Sequence, residues 1–75
     1  MRINKPKTAR NYKGEQQEIK WPKGRVIENL DSVFLIRKGS NKYYVVYGLE
    51  ISEEMNEDKA AREFGHYVMH QVVNG

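Results

Sequence analysis

The stretch from residue 56 to 73 is the only part of this chain with the length and periodicity of a confident helix. At about 100° per residue, its apolar residues fall on one broad stripe, formed by Ala60, Ala61, Phe64, Gly65, Tyr67, Val68 and Val72. Asn56 is placed to cap the first turn, and Glu57 and Asp58 follow it where the helix dipole favours carboxylates. Such a helix has one face to bury and must find its partner elsewhere in the chain.

Two apolar runs upstream, residues 33–38 and 42–51, predict the strands that cover this helix. Residues 39–41, Gly-Ser-Asn, are typical of the hairpin loop between them, and residues 25–30 predict a brief strand before them. Residues 42–51 are predicted to form the returning strand, with Tyr43, Val45, Tyr47, Leu49 and Ile51 on one face and Tyr44 and Val46 on the other. We expect the longer row to face the helix, with Gly48 marking a bulge or a close backbone approach.

The other face of the sheet would then also be apolar. Either alternation in residues 33–38 leaves an apolar pair pointing away from the helix, which predicts a cover made of Trp21 and the preceding residues, a second copy of the chain, or a ligand. We interpret Trp21 as a hydrophobic plug over the core edge, with a base-stacking platform or a partner anchor as the alternatives.

Charge is divided unevenly along the chain. Residues 1–25 carry eight basic and two acidic residues, a net +6, whereas residues 26–75 carry five basic and eight acidic residues, a net −3. Residues 1–13 lack apolar alternation, which favours an extended or disordered conformation. The fold class predicted is α+β: a small antiparallel sheet of two or three strands packed against one C-terminal helix over residues 25–75, preceded by a flexible basic N-terminal arm over residues 1–24.

Length and composition exclude several classes of protein. A chain of 75 residues without cysteine has a thin core and no disulfide or thiolate metal cluster, so a homodimer or a bound partner would supplement its stability. No apolar run approaches the roughly 18 residues of a membrane span, and the amino terminus lacks a secretion signal. We expect a cytoplasmic protein that does not bind membranes.

Catalytic chemistry has little support. Ser32, Ser40 and Ser52 lie at predicted turns without an activating motif, and the glycines form no phosphate-binding loop. We therefore predict no enzyme activity, no catalytic residue and no cofactor. The spacing of Glu63, His66 and His70 would let their side chains converge on a divalent cation. A solvated helix face is the interpretation adopted, so no metal site is predicted, and a pH-sensitive interface is a further alternative.

Cations interleaved with aromatic residues favour nucleic-acid binding, since cations neutralise phosphates and aromatic rings stack on bases. The candidate contact residues are Arg2, Lys5, Lys7, Arg10, Lys13, Lys20, Lys23, Arg25, Arg37, Lys38, Lys42 and Tyr44. The interleaved aromatic residues are Tyr12, Trp21, Phe34, Tyr43 and Tyr44. The function predicted is a small non-enzymatic regulatory protein that binds DNA or RNA through a basic arm and hairpin.

The alternative is an inhibitor or adaptor of the phage or mobile-element type, which binds a protein of the host replication or transcription machinery. The apolar surplus on the sheet favours it, with Trp21, Phe34, Tyr44 and Val46 as the candidate partner-binding residues. An acidic cluster near the helix start could present a phosphate-like surface and consists of Glu50, Glu53, Glu54, Glu57 and Asp58. Dipole complementation and solvation explain the same cluster without a partner.

One resemblance to known families follows from the order of these segments. Strands, then YGLEI at residues 47–51, then a capped helix containing DKAAREF at residues 58–64, resemble the sheet-plus-helix domains of the AP2 family and of the arm-binding amino-terminal domains of tyrosine integrases. The resemblance covers residues 33–68 and implies a sheet that reads DNA. The chain lacks the middle-strand tryptophan of the AP2 pattern, and its sheet is less basic than a DNA-reading face, so no residue roles are transferred.

Overall fold

The computed structural model describes residues 5–74 and has an α+β fold with two antiparallel sheets and one C-terminal helix. The chain forms, in order, β1 (Thr8–Arg10), β2 (Gln16–Glu18), β3 (Arg25–Leu30), β4 (Val33–Gly39), β5 (Lys42–Tyr47), β6 (Glu50–Ile51) and α1 (Glu57–Asn74). Strands β1 and β2 pair as a small hairpin, and β3 to β6 form a four-stranded sheet in sequence order. The α+β class predicted from the sequence is confirmed. The sheet has four strands instead of two or three.

The extra strand arises at Gly48. Residues 42–51 do not form one continuous strand, because Gly48 adopts a positive φ of 59° and the chain turns back so that β6 pairs with the end of β5. Leu49 and Ile51 therefore pack on the face of the sheet opposite the helix. The expectation that they share the helix-facing row with Tyr43 and Val45 is wrong, since the turn breaks the alternation on which it depended.

The helix lies across β4 and β5 and buries the first of two apolar clusters. Val33, Leu35, Tyr43 and Val45 from these strands pack with Met55 and Ala60, and the cluster is completed by Tyr47, Phe64, Tyr67 and Val68. The backbone N–H of Lys59 donates to Asn56 Oδ1 at 2.8 Å, which confirms the predicted cap, and Glu57 N–H donates to Asn41 Oδ1 at 2.9 Å.

The last turns of α1 are less buried than the stripe predicted. Val72 is 67% exposed, and Ala61 is also exposed, although both fall on the stripe. Gln71 is half-buried and binds the β3–β4 turn, where it accepts a hydrogen bond from Ser32 Oγ at 2.9 Å and donates one to Asp31 Oδ2 at 2.6 Å. A polar contact thus fixes the carboxyl-terminal part of the helix at this corner.

The second apolar cluster lies on the opposite face of the sheet, beneath the amino-terminal hairpin. Ile19, Phe34, Ile36 and Val46 are buried in it, with Ala9, Trp21, Val26, Tyr44, Leu49 and Ile51 packed around them. The Trp21 ring meets the Phe34 ring edge-on at 5.1 Å between centroids, and its indole N–H donates to the Pro6 carbonyl at 2.8 Å. The sequence left three candidates for covering this face of the sheet, and in the structure Trp21 and the residues before it cover it.

The expectation of a flexible arm over residues 1–24 therefore needs correction for its described part. Thr8, Ala9 and Arg10 pair with Glu18, Gln17 and Gln16, and Ile19 N–H donates to the Lys7 carbonyl at 2.9 Å. Ile19 is only 5% exposed. The sequence pattern underestimated this segment because a single buried isoleucine and one aromatic ring anchor it, a signal too sparse to register as periodicity.

The one helix within residues 5–74 is not long and apolar enough to cross a membrane.

Candidate nucleic-acid interface

Cations from three neighbouring strands meet at one end of the four-stranded sheet. Because the strands are antiparallel, the start of β3, the end of β4 and the start of β5 lie together. We call this surface the basic end, and it consists of Lys23, Arg25, Arg37, Lys38 and Lys42. All five residues are exposed.

Two arginines lie directly opposite each other within the basic end. Arg25 on β3 and Arg37 on β4 are Cα partners in the register, so their side chains leave the same face of the sheet. Arg37 Nε donates to the Gly39 carbonyl at 3.3 Å, which orients its guanidinium group. Like charges placed opposite each other in a sheet are destabilising on their own, and a bound anion would relieve the repulsion.

Lys38 is the member of the basic end that forms an ion pair with a carboxylate. Its Nζ lies 3.2 Å from Glu54 Oε1, and this is the single ion pair among residues 5–74. The hydrogen bond from Lys38 lowers the pKa of Glu54, and the same bond raises the pKa of Lys38. Tyr44 Oη also donates to Glu54 Oε1, at 3.3 Å. Lys38 and Tyr44 are therefore partly satisfied within the fold, whereas Arg25 and Arg37 have no ion-pair partner in the described residues.

The amino-terminal segment carries further cations, of which Arg10 and Lys13 lie at the tip of the β1–β2 hairpin. Lys5, Lys7, Arg10, Lys13 and Lys20 are all exposed, and Lys5 Nζ lies 5.6 Å from the Trp21 ring centroid. The hairpin tip lies beside Tyr47, Gly48 and Leu49, at the far end of β5 from Lys42. A six-residue strand spans about 20 Å, so Arg10 and Lys13 lie well away from the basic end. That these exposed cations contact nucleic acid stays a prediction, and the predicted contact residue Arg2 lies outside the described residues.

Two of the four predicted partner-binding residues are inaccessible. Phe34 is 5% exposed and Val46 is fully buried, because the hairpin and Trp21 cover them. Trp21 and Tyr44 are half-buried in the same cluster. The apolar surplus that suggested a partner is thus covered by the protein's own amino-terminal segment, and the predicted partner contact of Phe34 and Val46 stays a prediction.

The polar face of α1 does not assemble a metal site in the part of the chain that the structure describes. No group of three or more metal-ligating side chains comes together in residues 5–74, the trio Glu63, His66 and His70 included. The ring of His66 instead lies 5.9 Å from the ring of Tyr67, in an edge-on arrangement.

The exposure of the Tyr12 side chain could not be predicted from the sequence. It lies at the tip of the β1–β2 hairpin and is 92% exposed, whereas Tyr43, which the same pattern grouped with it, is buried in the helix-side cluster. The only sequence signal was the Asn-Tyr-Lys-Gly segment, which is typical of a turn. Whether its ring would pack on the sheet or point outwards depends on how the hairpin docks.

The fold and this charge distribution define a small α+β protein with a helix on one face of its sheet and a hairpin on the other. Comparison with protein-family models finds no matching family, and comparisons with curated proteins and with solved structures find no match. The face opposite the helix, which the resemblance to the AP2 and integrase domains implies would read DNA, is covered by the hairpin. Exposed cations remain at the basic end and at the hairpin tip.

Proposed function

We propose that the protein is a non-enzymatic regulator that binds nucleic acid, with the basic end as its main phosphate-contacting surface. The observation that supports this most strongly is the opposition of Arg25 and Arg37, two exposed guanidinium groups on one face without an ion-pair partner in the described residues. Guanidinium groups bind phosphate oxygens in a bidentate manner, and two adjacent ones suit a phosphodiester backbone. Lys23 and Lys42 lie at the same end of the sheet.

A salt titration tests this proposal. Binding of a fluorescently labelled oligonucleotide is followed by anisotropy over a range of salt concentrations. Each phosphate contact contributes roughly 0.7 to 0.9 to the slope of log affinity against log salt concentration. We expect the double variant Arg25→Gln/Arg37→Gln to bind more weakly and to lose about 1.4 to 1.8 from that slope, the sum for two contacts.

The chain offers a matched control on its helix. Lys59 and Arg62 are exposed residues of α1, and Lys59→Gln/Arg62→Gln changes the net charge of +3 by the same two units. We expect that variant to retain nearly the whole slope. Equal losses of slope in the two variants would show that binding depends only on overall charge and not on the basic end. Absence of binding at low salt would overturn the proposal.

A second candidate function is binding to a protein of the nucleic-acid machinery, as an inhibitor or adaptor. It is favoured by β3, which is an edge strand of the sheet and carries the partly exposed Ile27 and Leu30. The neighbouring turn is held to the helix by Gln71, which binds Ser32 and Asp31 directly after Leu30. An exposed edge with apolar neighbours can accept a strand of a partner.

A pull-down with nuclease treatment separates the two functions. A protein complex at the β3 edge should survive nuclease digestion and weaken in Leu30→Lys, which places a charge on the edge. Loss of the partner on digestion would indicate that nucleic acid bridges the two. Light scattering on the purified protein measures its molar mass, and the mass of a dimer would indicate that the β3 edge pairs with a second copy of the chain.

A further inference from the structure

The β1–β2 hairpin ends in a turn that its own side chains hold in place. Asn11 Oδ1 accepts hydrogen bonds from the backbone N–H groups of Lys13 at 2.9 Å and Glu15 at 3.0 Å. The backbone closes the same turn, since Asn11 N–H donates to the Glu15 carbonyl and Gly14 N–H to the Asn11 carbonyl. Gly14 has the positive φ of 80° that this geometry requires. The residue at the apex is therefore presented on an ordered loop.

That apex residue is Tyr12, and packing does not account for it. A tyrosine normally contributes a large apolar area to a small core, yet this side chain is 92% exposed and belongs to neither apolar cluster. Lys13 Nζ lies 5.7 Å from the centroid of its ring, so a cation is held beside the aromatic surface. An exposed ring beside a cation on an ordered turn has the components of a base-stacking platform.

A cleft of about 600 Å³ opens next to this ring, between the hairpin tip, the β5–β6 turn and the helix. Its hairpin side carries Arg10, Asn11 and Gln17, and its other side includes Glu50 and His70. The volume lies in the range of small-molecule sites, and amide and carboxylate groups provide donors and acceptors for the edge of a base.

We propose that Tyr12 stacks on an unpaired base of single-stranded nucleic acid, while Arg10 and Lys13 contact the flanking phosphates. The inference rests on the proposed function and specifies its ligand: a strand with unstacked bases at the hairpin tip, whose continuation reaches the basic end. Bases inside a duplex are stacked on each other and do not offer a free face to a side chain.

The test compares an unstructured labelled single strand of about 20 nucleotides with a duplex of the same sequence. This length exceeds the roughly 4–16 nucleotides that one single-strand-binding fold covers. Tyr12→Ala should weaken binding of the single strand by about 5- to 150-fold and leave its salt slope unchanged, because the lost contact is not ionic. Duplex binding should be unaffected. Tyr12→Phe, which keeps the ring, should retain nearly all of the single-strand affinity.

The outcomes separate the two proposals. Three results would overturn the stacking inference and leave the proposed function standing. In the first, Tyr12→Ala binds the single strand as tightly as the unaltered protein does. In the others, Tyr12→Ala loses affinity equally for single strand and duplex, or the protein binds duplex alone. Absence of binding to either probe would overturn both. Thermal unfolding of Tyr12→Ala should match that of the unaltered protein, since the side chain is exposed, and this excludes misfolding as the cause of any loss.

Discussion

Gly24 lies directly against the backbone of Arg37, so that a Cβ atom at position 24 would be 2.6 Å from the Arg37 carbonyl oxygen. Gly24 also has a φ of 137°, a conformation that residues with a side chain rarely adopt. This contact joins the segment after Trp21 to the end of β4, immediately before β3 begins at Arg25. The placement of Arg25 opposite Arg37 therefore depends on a residue without a side chain.

We expect Gly24→Ala to destabilise the fold by about 1–3 kcal/mol, since both the backbone conformation and the close approach become strained. Urea unfolding measures the change. Gly39 provides the control, because a Cβ there would meet nothing within 4 Å and its φ is not positive. An effect of Gly24→Ala no larger than that of Gly39→Ala would contradict the close contact.

The docking of the hairpin can be tested at Ile19. Ile19 is 5% exposed, so Ile19→Val should cost about 0.5–1.5 kcal/mol of unfolding free energy, and Ile19→Ala about 2–5 kcal/mol. The second value approaches the whole stability of a small domain, so the valine variant is the one to measure. Ile27→Val at a residue that is 37% exposed should cost less. If residues 5–24 were a free arm, Ile19→Val would have no effect on unfolding.

Gly65 is a site at which the fold should tolerate a larger residue. It lies within α1, and a Cβ there would meet nothing within 4 Å. Alanine loses less backbone entropy than glycine in a helix, so Gly65→Ala should raise stability by roughly 0.5–1 kcal/mol. The reverse change at the exposed helical residue Ala61, Ala61→Gly, should lower stability by a similar amount. Destabilisation by Gly65→Ala in thermal unfolding would show that the helix packs more tightly there.

The pH dependence of stability should include a contribution from Lys38 and Glu54. The hydrogen bond from Lys38 lowers the pKa of Glu54 below its ordinary value of 4.5, so this contribution is complete above pH 4.5 and is lost as the pH falls through the lowered pKa. The same bond raises the pKa of Lys38 above 10.5, so the contribution of Lys38 is complete below pH 10.5 and is lost as the pH rises through the raised pKa.

We therefore expect Glu54→Gln to lower the melting temperature slightly at neutral pH and not in strong acid, where Glu54 of the unaltered protein is protonated. High salt should reduce the difference, because both side chains are exposed. Glu53→Gln, at the exposed neighbouring carboxylate, is the control. Equal shifts in the two variants at neutral pH would show that the ion pair contributes nothing specific.

Much of the fold could be predicted from the sequence where the determining interactions are local. The helix, its Asn56 cap and the loop at residues 39–41 depend on residues within a few positions of each other, and periodicity shows them directly. The strand predicted at residues 33–38, which the structure has at Val33–Gly39, followed from a β-branched and aromatic composition that suits a strand buried on both faces.

Long-range packing decided the rest. One positive φ at Gly48 moved Leu49 and Ile51 to the other face, and the docking of Ile19 and Trp21 turned an expected arm into a cover that buries Phe34 and Val46. The register of β3 with β4 placed Arg25 opposite Arg37, and the hairpin carried Tyr12 to the far end of the sheet. The sequence by itself determined which residues are charged, apolar or suited to each element, because these are properties of the residues and their neighbours. Only the tertiary structure decided which of them are exposed together, since that depends on contacts between residues far apart in the chain.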